Sequence, residues 1–229
     1  MIRYHQDIIQ GTDEWYQVRC GLLTASEMKL IITPTLKIAS NDKERAHLYE
    51  LLAQRITKFV EPHYVSDDML RGQEDEIQAR MIYTERFAPV AEMGFITNDR
   101  WGFTIGYSPD GLVSDDGAIE CKSRRQKYQV QTILECVPED EAPDDYLMQV
   151  QTGLLVSERS WIDLISYSGG LPMAVLRIYP DPKVQAAIIE AAGAFERRLA
   201  EKWSLYAEIV EAKNLIPTER RVEQEMFLS

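Results

Sequence analysis

The spacing of apolar positions changes character along the chain, and each change predicts an element. Thr12 is placed to open a short helix that ends at Gly21, whose missing Cβ suits a C-terminal cap, and a second short helix follows Thr24. After Ser40 or Asn41 a longer helix is predicted. Its apolar positions Tyr49, Leu52, Ala53, Ile56 and Phe59 share one face, and Glu61, Pro62 and His63 break it. Another helix runs from Asp67 to Phe87. The period then shortens. Met93–Thr97, Trp101–Tyr107, Leu112–Val113 and Ala118–Lys122 read as strands, separated by the turn residues Asn98-Asp99, Ser108-Pro109-Asp110-Gly111 and Asp115-Asp116-Gly117. A helix after Arg124, a loop holding Pro138 and Pro143, and a helix opened by Asp144 and Asp145 follow. Strands at Trp161–Tyr167 and Met173–Tyr179 join at Gly169-Gly170. Pro182 opens a last helix with the stripe Val184, Ile188, Ala191, Phe195, Leu199 and Trp203, ended by Asn214. Helices, a meander of strands, then helix and strands again predict an α/β domain with a central mixed β-sheet flanked by helices. No linker shows, so residues 1–229 are expected to form one domain, with 215–229 a loosely held tail.

Composition narrows the class. The chain has 229 residues, of which 45% are hydrophobic and 27% charged, enough apolar material for a core. No apolar run exceeds four residues, which argues against a membrane span and a secretory core. Cys20, Cys121 and Cys136 form no CxxC pair, so a reduced cytoplasmic setting is expected rather than a disulfide framework. His5, His47 and His63 are scattered, against a histidine-rich metal site. Lys and Arg total 25 against 37 Asp and Glu, a net charge of −12, unlike a typical basic nucleic-acid binder. Yet the stretch from Cys121 to Val130 holds Lys122, Arg124, Arg125 and Lys127 and no acid. It can face phosphate while the rest of the surface stays acidic, or it can be a solvated helix start.

The chemistry concentrates at Gly106-Tyr-Ser-Pro-Asp110-Gly111 and Glu120-Cys121-Lys122. Asp110 sits where a strand ends in a turn. Glu120 and Lys122, two apart on the next strand, point to one face, with Cys121 on the other. A hairpin folds Asp110 toward Glu120. Two carboxylates and an ammonium then suit metal-assisted phosphodiester hydrolysis. Asp110 and Glu120 supply hard oxygen ligands for Mg²⁺, the Cys121 backbone carbonyl offers another, and Lys122 can orient or deprotonate the attacking water or offset charge on the phosphate. The same spacing also occurs in surface ion pairs. Glu76, four residues before Arg80 on the Asp67–Phe87 helix, is a third carboxylate that can hold a metal-bound water, or part of a solvated Glu74-Asp75-Glu76 face. Gln149 and Gln151 interrupt an apolar helix; bridging a catalytic water and a core hydrogen bond are alternative uses.

These residues resemble the PD-(D/E)xK nuclease superfamily through Pro109-Asp110 and Glu120-Cys121-Lys122. More narrowly, the chain resembles the lambda exonuclease (YqaJ-like viral recombinase) family from about Gly11 to Tyr179. Trp15-x-x-x-Arg19-x-Gly21, Thr24-Ala25-Ser26-Glu27, Gly72-x-x-x-Glu76, Ser108-Pro109-Asp110-Gly111, Glu120-x-Lys122 and Gln149-Val150-Gln151 stand in the family's order. The resemblance implies a restriction-endonuclease-like core and a Mg²⁺-dependent enzyme, with two metals per site and Mn²⁺ able to substitute. It implies digestion of one strand of duplex DNA from its 5′ end, leaving a 3′ single-stranded tail for recombination. Asp110, Glu120 and Lys122 are then the catalytic trio, assisted by Glu76 and Gln149. Arg19, Ser26 and Ser108 match positions that bind the 5′-terminal phosphate, and Met69 matches the wedge that parts the strands. Arg124, Arg125 and Lys127 are further DNA-contact candidates. A homotrimeric ring, a single-strand annealing protein as partner, no membrane, and a phage or prophage origin in the cytoplasm of a bacterial host are implied likewise. Restriction-type endonuclease activity with the same site, or an inactive DNA-binding module of the same fold, are the alternatives. The acidic run Gln73-Glu74-Asp75 and the acidic segment from Glu135 to Asp145 depart from the family pattern, and three cysteines disfavour a four-cysteine iron–sulfur cluster.

Overall fold

Four of the helices open on side chains that take up the free amides of the first turn. Thr12 accepts from the Trp15 amide, Asn41 from those of Lys43 and Glu44, Ser66 from Met69, and Asp181 from Lys183 and Val184. The computed structural model describes residues 1–62 and 66–220. His63, expected in the helix break, and residues 221–229 of the expected tail lie outside them. In chain order the elements are β1 (Ile2–His5), α1 (Asp13–Arg19), β2 (Leu23–Thr24), α2 (Met28–Ile31), α3 (Asp42–Thr57), α4 (Asp67–Arg86), β3 (Phe95–Asn98), β4 (Ile105–Tyr107), β5 (Gly111–Val113), β6 (Gly117–Ser123), α5 (Gln126–Gln131), α6 (Asp144–Ser157), β7 (Trp161–Tyr167), β8 (Ala174–Ile178) and α7 (Pro182–Ala212). A 3₁₀ turn at Ala25–Glu27 precedes α2, and a π turn at Thr132–Cys136 prolongs α5.

The α/β class with helix-flanked mixed sheets is the one expected, and the strands are shared between two sheets. One has the order β1-β3-β4-β2, with β2 and β4 parallel and the other pairs antiparallel. The other has the order β5-β6-β7-β8, antiparallel except for the central β6–β7 pair. That central pair is covered on both sides, as parallel strands generally are. Helix α6 packs against β7, β3 and β4, and Ala118, Ile162, Leu164 and Leu176 join it in the main core. Helix α4 packs on the opposite face, where Ala79 and Tyr83 meet Ile119, Cys121 and Ile165 in a second core. Side chains alternate between the faces along β6, so Glu120 and Lys122 share the α6 face with Ala118.

Helix α3 turns differently from its expected orientation. Its buried residues are Glu44, His47, Leu48, Leu51 and Leu52, whereas Tyr49 is exposed beneath Arg45. Two polar residues sit inside that face because they are paired there: Glu44 meets Arg198 of α7, and His47 stacks on Phe195. The apolar stripe of α7 is buried from Val184 to Leu199, and Trp203 is partly exposed.

Candidate active site

The site is assembled on the hairpin formed by β5 and β6. Asp110 stands one residue before β5, and its amide donates to the Ile119 carbonyl at 3.2 Å. Its Oδ2 accepts the Cys121 amide at 2.5 Å, so the carboxylate occupies the next place along the β6 edge. The amide and carbonyl of one strand residue point to the same edge. The Cys121 carbonyl therefore faces Asp110, while the Cys121 thiol is buried in the second core, and that burial pushes its pKa up.

Glu120 is 2% exposed and fully engaged. Its Oε1 accepts Lys122 Nζ at 2.8 Å and Gln149 Nε2 at 2.5 Å, and its Oε2 accepts the Tyr107 hydroxyl at 3.1 Å. The geometry of α6 delivers the Gln149 amide. A Cβ at Gly153, one turn farther along, would lie 2.8 Å from the Tyr107 ring and 3.0 Å from Ile162, so glycine lets α6 close onto the sheets. Tyr146, one turn before Gln149, places its ring 5.2 Å from Lys122 Nζ. Gln151 is used elsewhere, donating to the Tyr179 carbonyl and accepting the Asp181 amide at the start of α7.

Electrostatics tie Glu76 to the same spot from α4. Burial, offset by Arg80 and reinforced by Glu120, raises the Glu76 pKa. Burial, then Glu120 and Glu76, push Asp110 well above the usual carboxylate range, with Lys122 acting against them. Burial works against the Lys122 charge, but Glu120 and Asp110 outweigh it and raise its pKa. Arg80 Nη1 donates to the Asp110 carbonyl at 3.3 Å, joining α4 to the hairpin. Carboxyl groups that hold protons against one another are relieved by a cation. Hard oxygens from Asp110, Glu120 and the Cys121 carbonyl suit Mg²⁺, which takes one or two carboxylates and fills its shell with water and phosphate oxygens. Among the described residues no three His, Cys, Asp or Glu side chains form a ready-made cage.

The remaining expected residues are distributed unevenly. Arg19 lies over the Trp15 ring, 4.1 Å from its centroid, and lines a cavity of about 230 Å³ that Met69 of α4 also lines. Burial lowers the Arg19 pKa, and Glu27 and Tyr16 oppose that. Ser108 is joined to this group through Trp15, whose Nε1 donates to Ser108 Oγ at 2.9 Å; the serine hydroxyl in turn donates to the Gly94 carbonyl. Ser26 is exposed beside Thr24, outside the cavity lining. The basic cluster after β6 departs from a uniformly exposed patch. Arg124 is 9% exposed, and its guanidinium donates to the Tyr146 hydroxyl and Thr132 Oγ1. Those two bonds brace it internally, so Arg124 differs from the exposed patch expected of the cluster. Arg125 is exposed and paired with Asp68, and Lys127 is exposed against Tyr128.

Three residues have roles that the sequence does not assign, although Trp15 and Glu27 stand in the quoted motifs. Tyr107 holds Glu120, Trp15 joins Arg19 to Ser108, and Glu27 shares the Arg19 cavity. The signal for Trp15 was its place four residues before Arg19, one helical turn apart.

The family model of the YqaJ-like viral recombinase domain matches residues 14–160, which include every candidate residue named above. The chain belongs to this family. Among solved structures, the YqaJ-like chain is similar to an alkaline exonuclease, LHK-Exo, from Laribacter hongkongensis. Identity is 30% and the TM-score 0.75, covering 89% of this chain and 100% of that one. The LHK-Exo complex with dAMP gives 31% identity, a TM-score of 0.76 and the same coverage. A phage related exonuclease from Haemophilus somnus 129PT shares the fold at 13% identity and a TM-score of 0.53, over 79% of this chain and 96% of that one. No curated protein matches the sequence.

Proposed function

We propose that this YqaJ-like protein is a Mg²⁺-dependent exonuclease that digests one strand of duplex DNA from its 5′ end and leaves a 3′ single-stranded tail. The observation that carries the reading is the convergence of Glu120, Lys122, Gln149 and Tyr107 beside the edge-bound Asp110. The likeness to an alkaline exonuclease supports it.

Asp110, Glu120 and the Cys121 carbonyl are the ligands offered to Mg²⁺, with Mn²⁺ as a substitute. When bound, the ion supplies Lewis-acid polarisation of the phosphoryl oxygen and a lowered pKa for an attacking water. Tyr107 and Gln149 fix the Glu120 carboxylate, so its orientation is set before substrate arrives. Lys122, held protonated by Glu120 and Asp110, serves as a donor to the phosphate or the attacking water. Glu76 accepts from water on the α4 side. The partly buried Arg19 guanidinium, over the Trp15 ring, is the anchor for the 5′-terminal phosphate, and Met69 in the lining of the same cavity is the wedge. A homotrimeric ring around DNA and a single-strand annealing partner complete the proposal and rest on the family resemblance.

The test is nucleotide release from linear duplex with Mg²⁺, run beside closed circular duplex. Release from the linear form alone is the expected result. Cutting of the circle indicates an endonuclease, and no release from either form rejects the enzyme. Mass in solution tests the ring: a protomer-sized particle rejects it.

A further inference from the structure

The cavity that holds Arg19 contains more than an anion site needs. Among its described lining residues Arg19 is the cation, and Glu27 and Glu50 are carboxylates. Glu27 is not a swinging surface side chain. Its Oε2 accepts the Thr24 hydroxyl at 2.7 Å and lies 3.9 Å from His47 Nε2. His47 is buried, bonds Glu50 through Nδ1 at 3.2 Å, and is pinned by stacking on Phe195, with ring centroids 5.7 Å apart. The acidic wall is therefore built from the core outward, through α3 and α7.

We propose that Glu27 makes this cavity selective for a terminal phosphate monoester and against a 5′-polyphosphate end, by presenting fixed negative charge to any phosphate beyond the one with which Arg19 can pair. The inference rests on the reading of Arg19 as the 5′-phosphate anchor. Size does not provide the selection. A water occupies about 30 Å³ of liquid, so a hollow of about 230 Å³ has room beyond a single phosphate. Charge does provide it. One guanidinium pairs bidentately with one phosphate, and each further phosphate adds negative charge with no second cation among the described lining residues. The adjoining space is no better suited. Tyr16 and Val60 also line a second hollow of about 400 Å³, whose charged described residues are Asp13 and Glu61. Arg220 near it lies over the Phe59 ring and donates to the Thr57 carbonyl. A polyphosphate chain thus meets carboxylates in the cavity and again in the hollow beside it.

The experiment compares initial nucleotide release from linear duplexes whose 5′ ends carry a hydroxyl, one phosphate or three. The parent is expected to cut the triphosphate end about tenfold or more slowly than the monophosphate end, the scale of one like-charge contact close to a protein surface. Glu27→Gln keeps an acceptor for Thr24 and should raise the triphosphate-to-monophosphate ratio about fivefold or more by the same term. Asp13→Asn with Glu61→Gln, on the exposed hollow, should raise that ratio to a smaller degree, and it serves if Glu27→Gln does not fold. Triphosphate ends cut as fast as monophosphate ends, with hydroxyl ends slow, overturn the inference and leave the anchor standing. Equal rates on hydroxyl and monophosphate ends remove the anchor itself and the inference with it. A slow triphosphate end whose ratio stays fixed in folded Glu27→Gln also overturns it, as does a ratio fixed in Asp13→Asn with Glu61→Gln where Glu27→Gln does not fold.

Discussion

Replacing Lys122 by Met tests the charge balance of the site directly. In the parent, Nζ sits 2.8 Å from Glu120 Oε1, and the two side chains are 18% and 3% exposed. Methionine keeps the length of the stem and removes the ammonium, so Glu120 retains Gln149 and Tyr107 as donors but loses its cation. Removing one partner of a buried pair costs about 3–5 kcal/mol, because the other charge is left uncompensated. For a chain of this size, about 2–4 °C of melting temperature accompanies each kcal/mol, so a drop of about 6–20 °C is expected in EDTA at pH 8. The loss should shrink at lower pH. Asp110 and Glu76 already have raised pKa values. A carboxyl raised in the folded state stabilises fully below its unfolded value, and that contribution disappears as pH rises through the folded value. Mg²⁺ should then restore more stability to Lys122→Met than to the parent, since the ion replaces the missing positive charge. Thermal melts of both proteins at pH 5.5 and pH 8, as round working values spanning the upper carboxylate range, with EDTA or Mg²⁺, make the measurement. Equal melting in EDTA at the higher pH, or an equal Mg²⁺ increment in the two proteins, refutes the reasoning.

Other consequences follow from the same geometry. Glu120→Ala should abolish cleavage while duplex binding persists, since a metal ligand serves chemistry more than docking; binding and release assays separate the two, and retained cleavage counts against the ligand assignment. Arg19→Ala should erase a preference for 5′-phosphate over 5′-hydroxyl ends, read as the ratio of initial rates; a ratio unchanged from the parent removes Arg19 from the anchor. Gly153→Ala pushes a methyl against Tyr107 and Ile162 and should cost about 1–3 kcal/mol of stability by overpacking. It should also slow cleavage by loosening Gln149 from Glu120, and a variant as stable and active as the parent shows that α6 can shift without consequence.

The hairpin chemistry was legible because local rules decide it. A turn residue before Gly111 and the two-residue spacing of Glu120 and Lys122 place three groups without knowledge of the rest of the chain. Contacts between distant elements were less legible. Tyr107 reads as one more strand aromatic until α6 is laid across it. Arg124 reads as surface charge until the π turn at Thr132–Cys136 encloses it. Helix α3 was misoriented because Glu44 and His47 count as polar, and only Arg198 and Phe195 of α7 make their burial affordable. Strand β1 was missed altogether: Ile-Arg-Tyr-His is too short to show a period, and its pairing with β3 spans more than ninety residues. Glu27 gave no sign that it shares a cavity with Arg19, since most residues lining that cavity come from α1, α3 and α4.

The Asp110 carboxylate, bound to the Cys121 amide, stands in for a missing strand partner, and this makes alignment of the hairpin a condition for the proposed chemistry. A slip of β5 by one residue against β6 would part that carboxylate from its amide and turn neighbouring side chains to the opposite face. The ladder from Gly111 opposite Ile119 to Val113 opposite Gly117 is therefore a ruler as well as a support: on the proposed mechanism, any insertion in the Ser114–Asp116 loop that shifts it disarms the protein while leaving every functional group in the chain.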